Sequence, residues 1–431
     1  MAQGEQKKLG TFSTMSIGIG GMVGGGIFAT TGLAIHLTRG AAPIAFIVAG
    51  IVALLTAYSY LKLTLRYPGR GGTVEFINRG LGTGLLAGSS NILLCMSYVV
   101  LIAIYAHALG NYAASFFPPE EFVFWRRCFL SAALVLLTLL NIFGGDLVIR
   151  SENALNGIKI LILLALVAFG LSEPITWERL QPDEYVGSMA IISGAMIVFF
   201  NYEGFELIAN AAEEVEDPRR SLPVAYIGGV LLVIVIYILI AVVTVGLLGF
   251  GEVAAVSEHV LTAVGRQVMG ASGHWLIALA AVLACGSAIN ATLYSAGGLV
   301  SMIARSGELP AALERNIRGR PLEGVLGFGV LALVVANLVP LNAIATIGSA
   351  GFLFIFMVVN YVNMRLADET QSQRWISALG AACCSGSLVL LCMEVDENPA
   401  TDYQMWIVVA TVATAFCLEI VYRRVGPAPG R

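Results

Sequence analysis

Nine stretches of this chain run for 16 to 40 residues without an aspartate, glutamate, lysine or arginine: residues 9–35, 40–61, 80–119, 128–145, 185–202, 221–251, 267–304, 375–393 and 403–418. In hydrocarbon every backbone polar group must be satisfied internally, which leaves helices and closed barrels as the only spanning structures. A helix crosses with about 20 apolar residues, and these stretches have that length. Only 12% of the residues are charged and 58% are hydrophobic, whereas soluble domains are about 25% charged. The predicted class is an all-α polytopic membrane protein. The uncharged interval 324–364 is too long for one crossing and divides at Pro340, Leu341 and Asn342; residues 153–172 make another span, interrupted only by Lys159. The expected count is twelve transmembrane helices.

Basic residues set the orientation, because they accumulate on the cytoplasmic side. With the N-terminus inside, 18 lysines and arginines fall on that side, among them Lys7, Lys8, Arg66, Arg219, Arg220, Arg365 and Arg424. Five fall outside: Arg39, Arg126, Arg127, Arg179 and Arg266. Both termini are therefore expected in the cytoplasm, and the protein in the cell membrane. The net charge of −4 reflects acidic external loops such as Glu394, Asp396, Glu397 and Asp402, and no nucleic-acid partner is expected. Residues 1–8 are polar and the first apolar stretch is longer than a signal-peptide core, so it is expected to remain as a span. The seven cysteines, Cys95, Cys128, Cys285, Cys383, Cys384, Cys392 and Cys417, lie in or beside apolar spans without C-x-x-C spacing, which argues for small apolar packing over metal ligation or a disulfide framework. No cofactor and no metal are expected.

Within the first span, residues 18–28 read GIGGMVGGGIF, six glycines in eleven positions. Each glycine weakens a helix by ~1 kcal/mol relative to alanine, and irregular backbone persists inside a bilayer only where protein or a water-filled cavity satisfies it. A break is expected here, with a half-helix starting near Gly26 whose free N–H groups and positive dipole end suit a carboxylate. Close helix packing of small residues is the alternative. A second weakened span, residues 199–206 (FFNYEGFE), places two carboxylates and a glycine directly after an apolar run. Five spans separate the two starts, so the first unit begins inside and the second outside. The units, 9–171 and 186–364, contain 163 and 179 residues. An inverted five-plus-five repeat in which each unit opens with a discontinuous helix places a substrate site near the bilayer midplane. The expected organisation is a cytoplasmic tail at 1–8, five helices at 9–171, five at 186–364, two more at 375–424 and a tail at 425–431.

These residues carry a family resemblance. Residues 21–28 (GMVGGGIF) resemble the first-helix signature of the amino acid-polyamine-organocation (APC) family of permeases. Residues 67–72 (YPGRGG) through Gly82 resemble its loop after helix 2. Residues 204–206 (GFE) with 213–223 (EEVEDPRRSLP) resemble its helix 6–7 segment, and residues 287–291 (SAINA) with 304–310 (ARSGELP) its helix 8 and following loop. The ordered matches cover about residues 9–364, and the pattern is especially similar to the prokaryotic proton-coupled branch called ApcT-like. The resemblance implies the leucine-transporter fold with helices 1 and 6 discontinuous, and secondary active transport of an amino acid or amine by alternating access. It also implies that the substrate carboxylate meets N–H groups of Gly24, Gly25 and Gly26. The amine would meet carbonyls of Met22 or Val23 and of the second break, from Phe200 through Tyr202 to Glu203.

Lys159 is the sharpest chemical signal. A charged lysine at mid-membrane costs at least ~2.5–3.5 kcal/mol, and an amine in that setting can take up and release protons during a cycle. The resemblance matches it to a helix-5 lysine that, in proton-coupled relatives, occupies the place of a sodium ion between helices 1, 5 and 8. Carbonyls near Val23 and the hydroxyl of Ser287 are its expected neighbours. A static ion pair with Glu203 or Glu206, or a structural amine, is the alternative. Glu206 suits gating, proton relay or capping. Glu203 approaches the side-chain pocket: ionised, it would favour lysine, arginine, ornithine or a polyamine; protonated or paired, it leaves broad or neutral selectivity, which is the leading expectation. Phe199, Phe200, Tyr202, Tyr98, Tyr105 and Tyr294 are candidate gates, and His107 is either a relay or a packing residue. A membrane-embedded enzyme and a passive channel are the rivals, but there is no G-x-S-x-G or H-E-x-x-H, the four histidines are scattered, and paired breaks argue for alternating access over a channel.

Overall fold

Helix succeeds helix along the chain because each apolar run is closed by glycine, proline or charge. The computed structural model describes residues 8–69, 71–143, 145–305, 322–397 and 402–425. The helices are α1 (Thr11–Met22), α2 (Gly25–Thr38), α3 (Ala42–Arg66), α4 (Gly72–Leu81), α5 (Leu85–Ala114), α6 (Phe122–Phe143), α7 (Gly145–Ser172), α8 (Ser188–Ile197), α9 (Leu207–Asn210), α10 (Pro218–Pro223), α11 (Gly229–Leu247), α12 (Phe250–Ala255), α13 (Val260–Arg305), α14 (Leu322–Leu338), α15 (Leu341–Arg365), α16 (Ala367–Thr370), α17 (Arg374–Glu397) and α18 (Asp402–Val425). Among the described residues nine helical segments are long and apolar enough to cross a membrane. Two bent pairs, α1 with α2 and α8 with residues 199–210, bring the number to 11. α14 is a shorter apolar helix. The number, length and apolarity of these segments fit a multi-pass membrane protein. The tails at 1–7 and 426–431, Arg70, residues 306–321 and residues 398–401 of the acidic loop lie outside the described residues.

Local chemistry explains several boundaries. α15 starts after Pro340, which caps it in extended conformation and lacks the N–H that would continue α14. α10 starts at Pro218 behind Asp217, whose carboxylate accepts from Arg220 N–H at 3.3 Å. Pro223 then forces a wide π-type turn over Val224–Gly228 before α11, as proline inside a helix must. Three expected spans change shape. The interval 80–119 begins later, at α5, because residues 72–81 form the separate helix α4, whose Val74, Phe76 and Ile77 are buried. The stretch expected from residue 267 starts at Val260 and bends at Gly270, where φ is 67°. The stretch expected from residue 128 starts at Phe122 and takes Arg126 and Arg127 into its first turns.

α5 and α15 form the centre, with 89% and 83% of their spans buried, whereas α6 and α18 at 17% lie on the periphery. A ring cluster of Tyr60, Phe76, Phe199, Phe205 and Phe356, joined by five ring contacts at centroid distances of 5.3–5.8 Å, ties α3, α4 and α15 to the second bend. The two bent pairs lie antiparallel and are joined at both ends. Leu9 pairs with Val215, through Leu9 N–H to Glu214 O at 2.7 Å and Glu216 N–H to Leu9 O at 3.0 Å. At the other end Arg39 pairs with Tyr185.

Candidate functional site

Both bends are built from residues that cannot hold a regular helix. α1 ends when Val23 N–H bonds Ile19 O at 2.7 Å; Val23 and Gly24 turn the chain, and α2 restarts at Gly25, one residue before the expected Gly26. In the second pair α8 stops at Ile197, Phe199–Tyr202 form one tight turn, and Glu203 is extended. Gly204 follows with φ 122°, a left-handed conformation open to glycine alone at little cost. The bends meet here, backbone against backbone. A Cβ on Gly21 would stand 2.7 Å from Gly204 Cα, and a Cβ on Gly204 would stand 2.5 Å from the Gly21 carbonyl carbon and Met22 N.

The expected site residues divide into two groups around this crossing. A cavity of about 10 Å³ opens beside it, walled by Gly20, Gly21 and Gly204, by Tyr98 and Tyr105 of α5, by Glu203, and by Ser287 of α13. That is room for about one water, so any amino acid would require the walls to move. Of the expected site residues, Glu203 and Ser287 line it. Met22, Val23, Gly24, Gly25, Gly26, Phe200 and Tyr202 are buried around the crossing and do not line that cavity. Gly25 faces Tyr105 and Cys285, and Gly26 faces Phe200 and the Asn201 amide oxygen. The Tyr202 hydroxyl donates to Phe46 O at 2.8 Å, turning that ring toward α3.

Lys159 reaches the first bend from α7: 2% exposed, its Nζ donates to Gly20 O at 2.7 Å. The expected neighbourhood of Val23 is thus shifted by one helical turn, because Gly20 has no side chain to keep α7 away. A Cβ there would collide with the Asn156 amide, and Asn156 Nδ2 also donates to Ser16 O at 3.4 Å. Glu206 is buried behind Tyr98 and Gly204, its Oε1 accepting from Tyr98 O–H at 2.8 Å and its Oε2 from Gly204 N–H at 3.2 Å. Of the other candidate gates, Tyr294 is exposed on α13, which removes it from the site. His107 is buried away from the cavity with its ring toward Ala336 and Val339 carbonyls, outside good hydrogen-bond geometry.

Two residues at the crossing escaped the sequence reading. The Tyr237 hydroxyl of α11 donates its single hydrogen to Met22 O at 2.6 Å, with Asn201 O 3.1 Å away as a second acceptor sharing it, so one side chain touches both bends. Asn201 Nδ2 donates to Thr30 Oγ1 at 2.7 Å, while its Oδ1, buried beside Gly26, has no hydrogen-bond partner among the described residues. Tyr237 sits in an unbroken apolar run that gives no sign of a polar task; Asn201, the lone amide in the apolar half of the second break, was a signal that could have been read.

Comparison with known proteins follows this geometry. The model of a family described as amino acid permease matches residues 9–416. An uncharacterized protein of Methanocaldococcus jannaschii is 30% identical over 98% of this chain and 96% of its own. The inner membrane transport protein YbaT of Escherichia coli is 31% identical over 87% of each chain. The branched-chain amino acid permease BcaP of Bacillus subtilis is 24% identical over 94% and 92%.

Proposed function

The chain belongs to the amino acid permease family, and from that premise we propose that it is a secondary active amino acid transporter, driven by protons and working by alternating access, with broad or neutral selectivity. The bent pairs are two of twelve spans: α14 supplies the twelfth when added to the 11 helical segments above. Residues 9–171 and 186–364 are the two inverted five-helix units of a leucine-transporter fold, residues 375–424 are its last two helices, and residues 1–8 and 425–431 are cytoplasmic tails in the cell membrane.

The observation that carries the proton reading is the bond from the buried Lys159 amine to Gly20 O at 2.7 Å. It links the proton carrier to the first bend, so that gain or loss of a proton on α7 changes what holds α1. Ser287 lines the cavity, Glu206 is bonded to its Tyr98 and Gly204, and the two complete the coupling site. The substrate carboxylate is met by the N–H groups of Gly24, Gly25 and Gly26, at the positive end of α2. Its amine is met by Met22 or Val23 carbonyls and by the segment from Phe200 through Tyr202 to Glu203. A cationic amino acid or polyamine is the second reading, and Glu203 on the cavity wall is the observation that favours it.

The test has two steps. A thermal-shift screen of purified protein against amino acids and amines identifies the substrate, because binding to the folded state stabilises by RT ln(1 + [L]/Kd). Uptake of that compound into proteoliposomes then follows an imposed pH gradient without sodium. Accumulation that requires sodium and ignores the pH gradient contradicts the proton reading.

A further inference from the structure

Several acceptors at the crossing already have donors. Gly20 O takes the Lys159 amine at 2.7 Å, Met22 O and Asn201 O share the Tyr237 hydroxyl, and Phe200 O takes Glu203 N–H at 3.0 Å. The Asn201 side chain differs. It is 1% exposed, and its Oδ1 has no hydrogen-bond partner among the described residues, although buried polar atoms are as a rule paired.

The orientation of that amide is fixed by its neighbour. The Thr30 hydroxyl has one hydrogen and gives it to Gly26 O at 3.1 Å, so toward Asn201, 2.7 Å away, it can only accept. The NH2 end therefore faces Thr30 and the oxygen faces Gly26, where an added Cβ would run into Oδ1 and stand 3.3 Å from Cγ. Gly26 is in the first turn of α2, a 14-residue helix that no side chain caps. The first N–H groups of a helix lack intrahelical partners and form the positive end of its dipole. Donors suited to an anion thus stand beside an acceptor that has no donor. A simple carboxylic acid would answer the N–H groups and leave Oδ1 bare, and a polyamine would do the reverse. An α-amino acid, with its ammonium one carbon from its carboxylate, answers both.

We propose that Asn201 is a specificity-determining residue, its Oδ1 accepting the α-ammonium of a substrate whose carboxylate lies on the N–H groups of α2, so that the site selects α-amino acids with a free amine. Resting on the transport reading above, this assigns recognition of the amine to a side chain that can be removed without touching the backbone. Gly26 packs against Oδ1 in this structure, and parting of the bends, which any amino acid requires, uncovers it.

Binding to the purified full chain tests this without any transport. The probes are alanine, valine, leucine, phenylalanine and lysine, each offered also as the acid in which hydrogen replaces the α-amine, with affinities read from the concentration dependence of the thermal shift. The wild type should bind at least one amino acid about 10- to 100-fold more tightly than its des-amino counterpart, the range that a hydrogen bond from a charged donor supplies. Asn201→Leu keeps the volume and strands no donor, because Thr30 still gives its hydrogen to Gly26 O. It should bring the ratio close to one by weakening the amino acid alone, and Asn201→Ala carries the same expectation if the leucine variant does not fold. A variant that weakens both probes equally and keeps their ratio has lost a structural contact only, which overturns the proposal and leaves the amino acid reading standing. A wild type that binds both probes alike overturns it as well. A wild type shifted by none of the probes overturns the amino acid reading and the proposal with it.

Discussion

Gly204→Ala is the most severe single-methyl change the crossing admits. The added Cβ would lie 2.5 Å from Gly21 C and Met22 N, both backbone atoms of the opposite bend, so no side-chain rotation relieves the contact. Holding a non-glycine residue at φ 122° costs about 1–3 kcal/mol, and overpacking a close contact adds about 1–3 kcal/mol, giving about 2–6 kcal/mol together. Against a typical total of about 5–15 kcal/mol, that is a large share. Gly157→Ala is the matched control: nothing lies within 4 Å of its Cβ and it is exposed on α7, so it should be neutral or slightly stabilising through helix propensity. The assay is the fraction of monodisperse protein left after a heat step in detergent, followed by uptake into proteoliposomes. Gly204→Ala should melt well below both wild type and control, and its uptake should fall more than about tenfold, the change that 1.4 kcal/mol produces. A variant as stable as the control and fully active would show that the two bends are not in backbone contact.

How far the sequence made this legible depends on what each feature looks like along the chain. The first bend shows itself because six glycines in eleven positions weaken a helix at that point of an apolar run, and the second because Glu203 and Gly204 interrupt an apolar run. Pro340 marks the boundary of α14 and α15 for the same reason. Family membership was equally legible, from ordered motifs. Other features depend on contacts between distant residues. Tyr237 lies between Ile236 and Ile238 and its role appears only when Met22 O and Asn201 O converge on it. The bridges at Leu9–Val215 and Arg39–Tyr185 are one residue long and leave no alternation to read. The stretch that became α4 begins with Gly69, Gly71 and Gly72, which read as loop, yet its buried Val74, Phe76 and Ile77 fall on one helical face.

Further outcomes follow from the same contacts. Tyr237→Phe removes the one O–H that Met22 O and Asn201 O share, a bond worth about 0.5–1.5 kcal/mol, and should lower stability by about that amount while leaving the helix content by circular dichroism unchanged. Glu419→Ala removes the carboxylate that sits against Gly88 of α5 and pairs with Arg423; a charge-assisted bond of about 1.5–3 kcal/mol, discounted for the 30% exposure of Arg423, predicts a loss near the lower end, read as earlier protease cleavage of α18. Gly26→Val drives a branched side chain into Asn201 and Phe200 and should abolish the substrate-induced thermal shift; a normal shift would mean that the start of α2 is not part of the binding site.

Lys159→Ala measures the central claim most directly, with substrate binding, exchange of labelled for unlabelled substrate, and pH-driven uptake followed on one preparation. Loss of the amine removes the bond to Gly20 O but leaves the backbone of both bends, so binding and exchange should survive while concentrative uptake loses its pH dependence or disappears. Uptake that keeps the wild-type pH profile in this variant would contradict the account and move the proton to Glu203, to Glu206 or to the substrate itself.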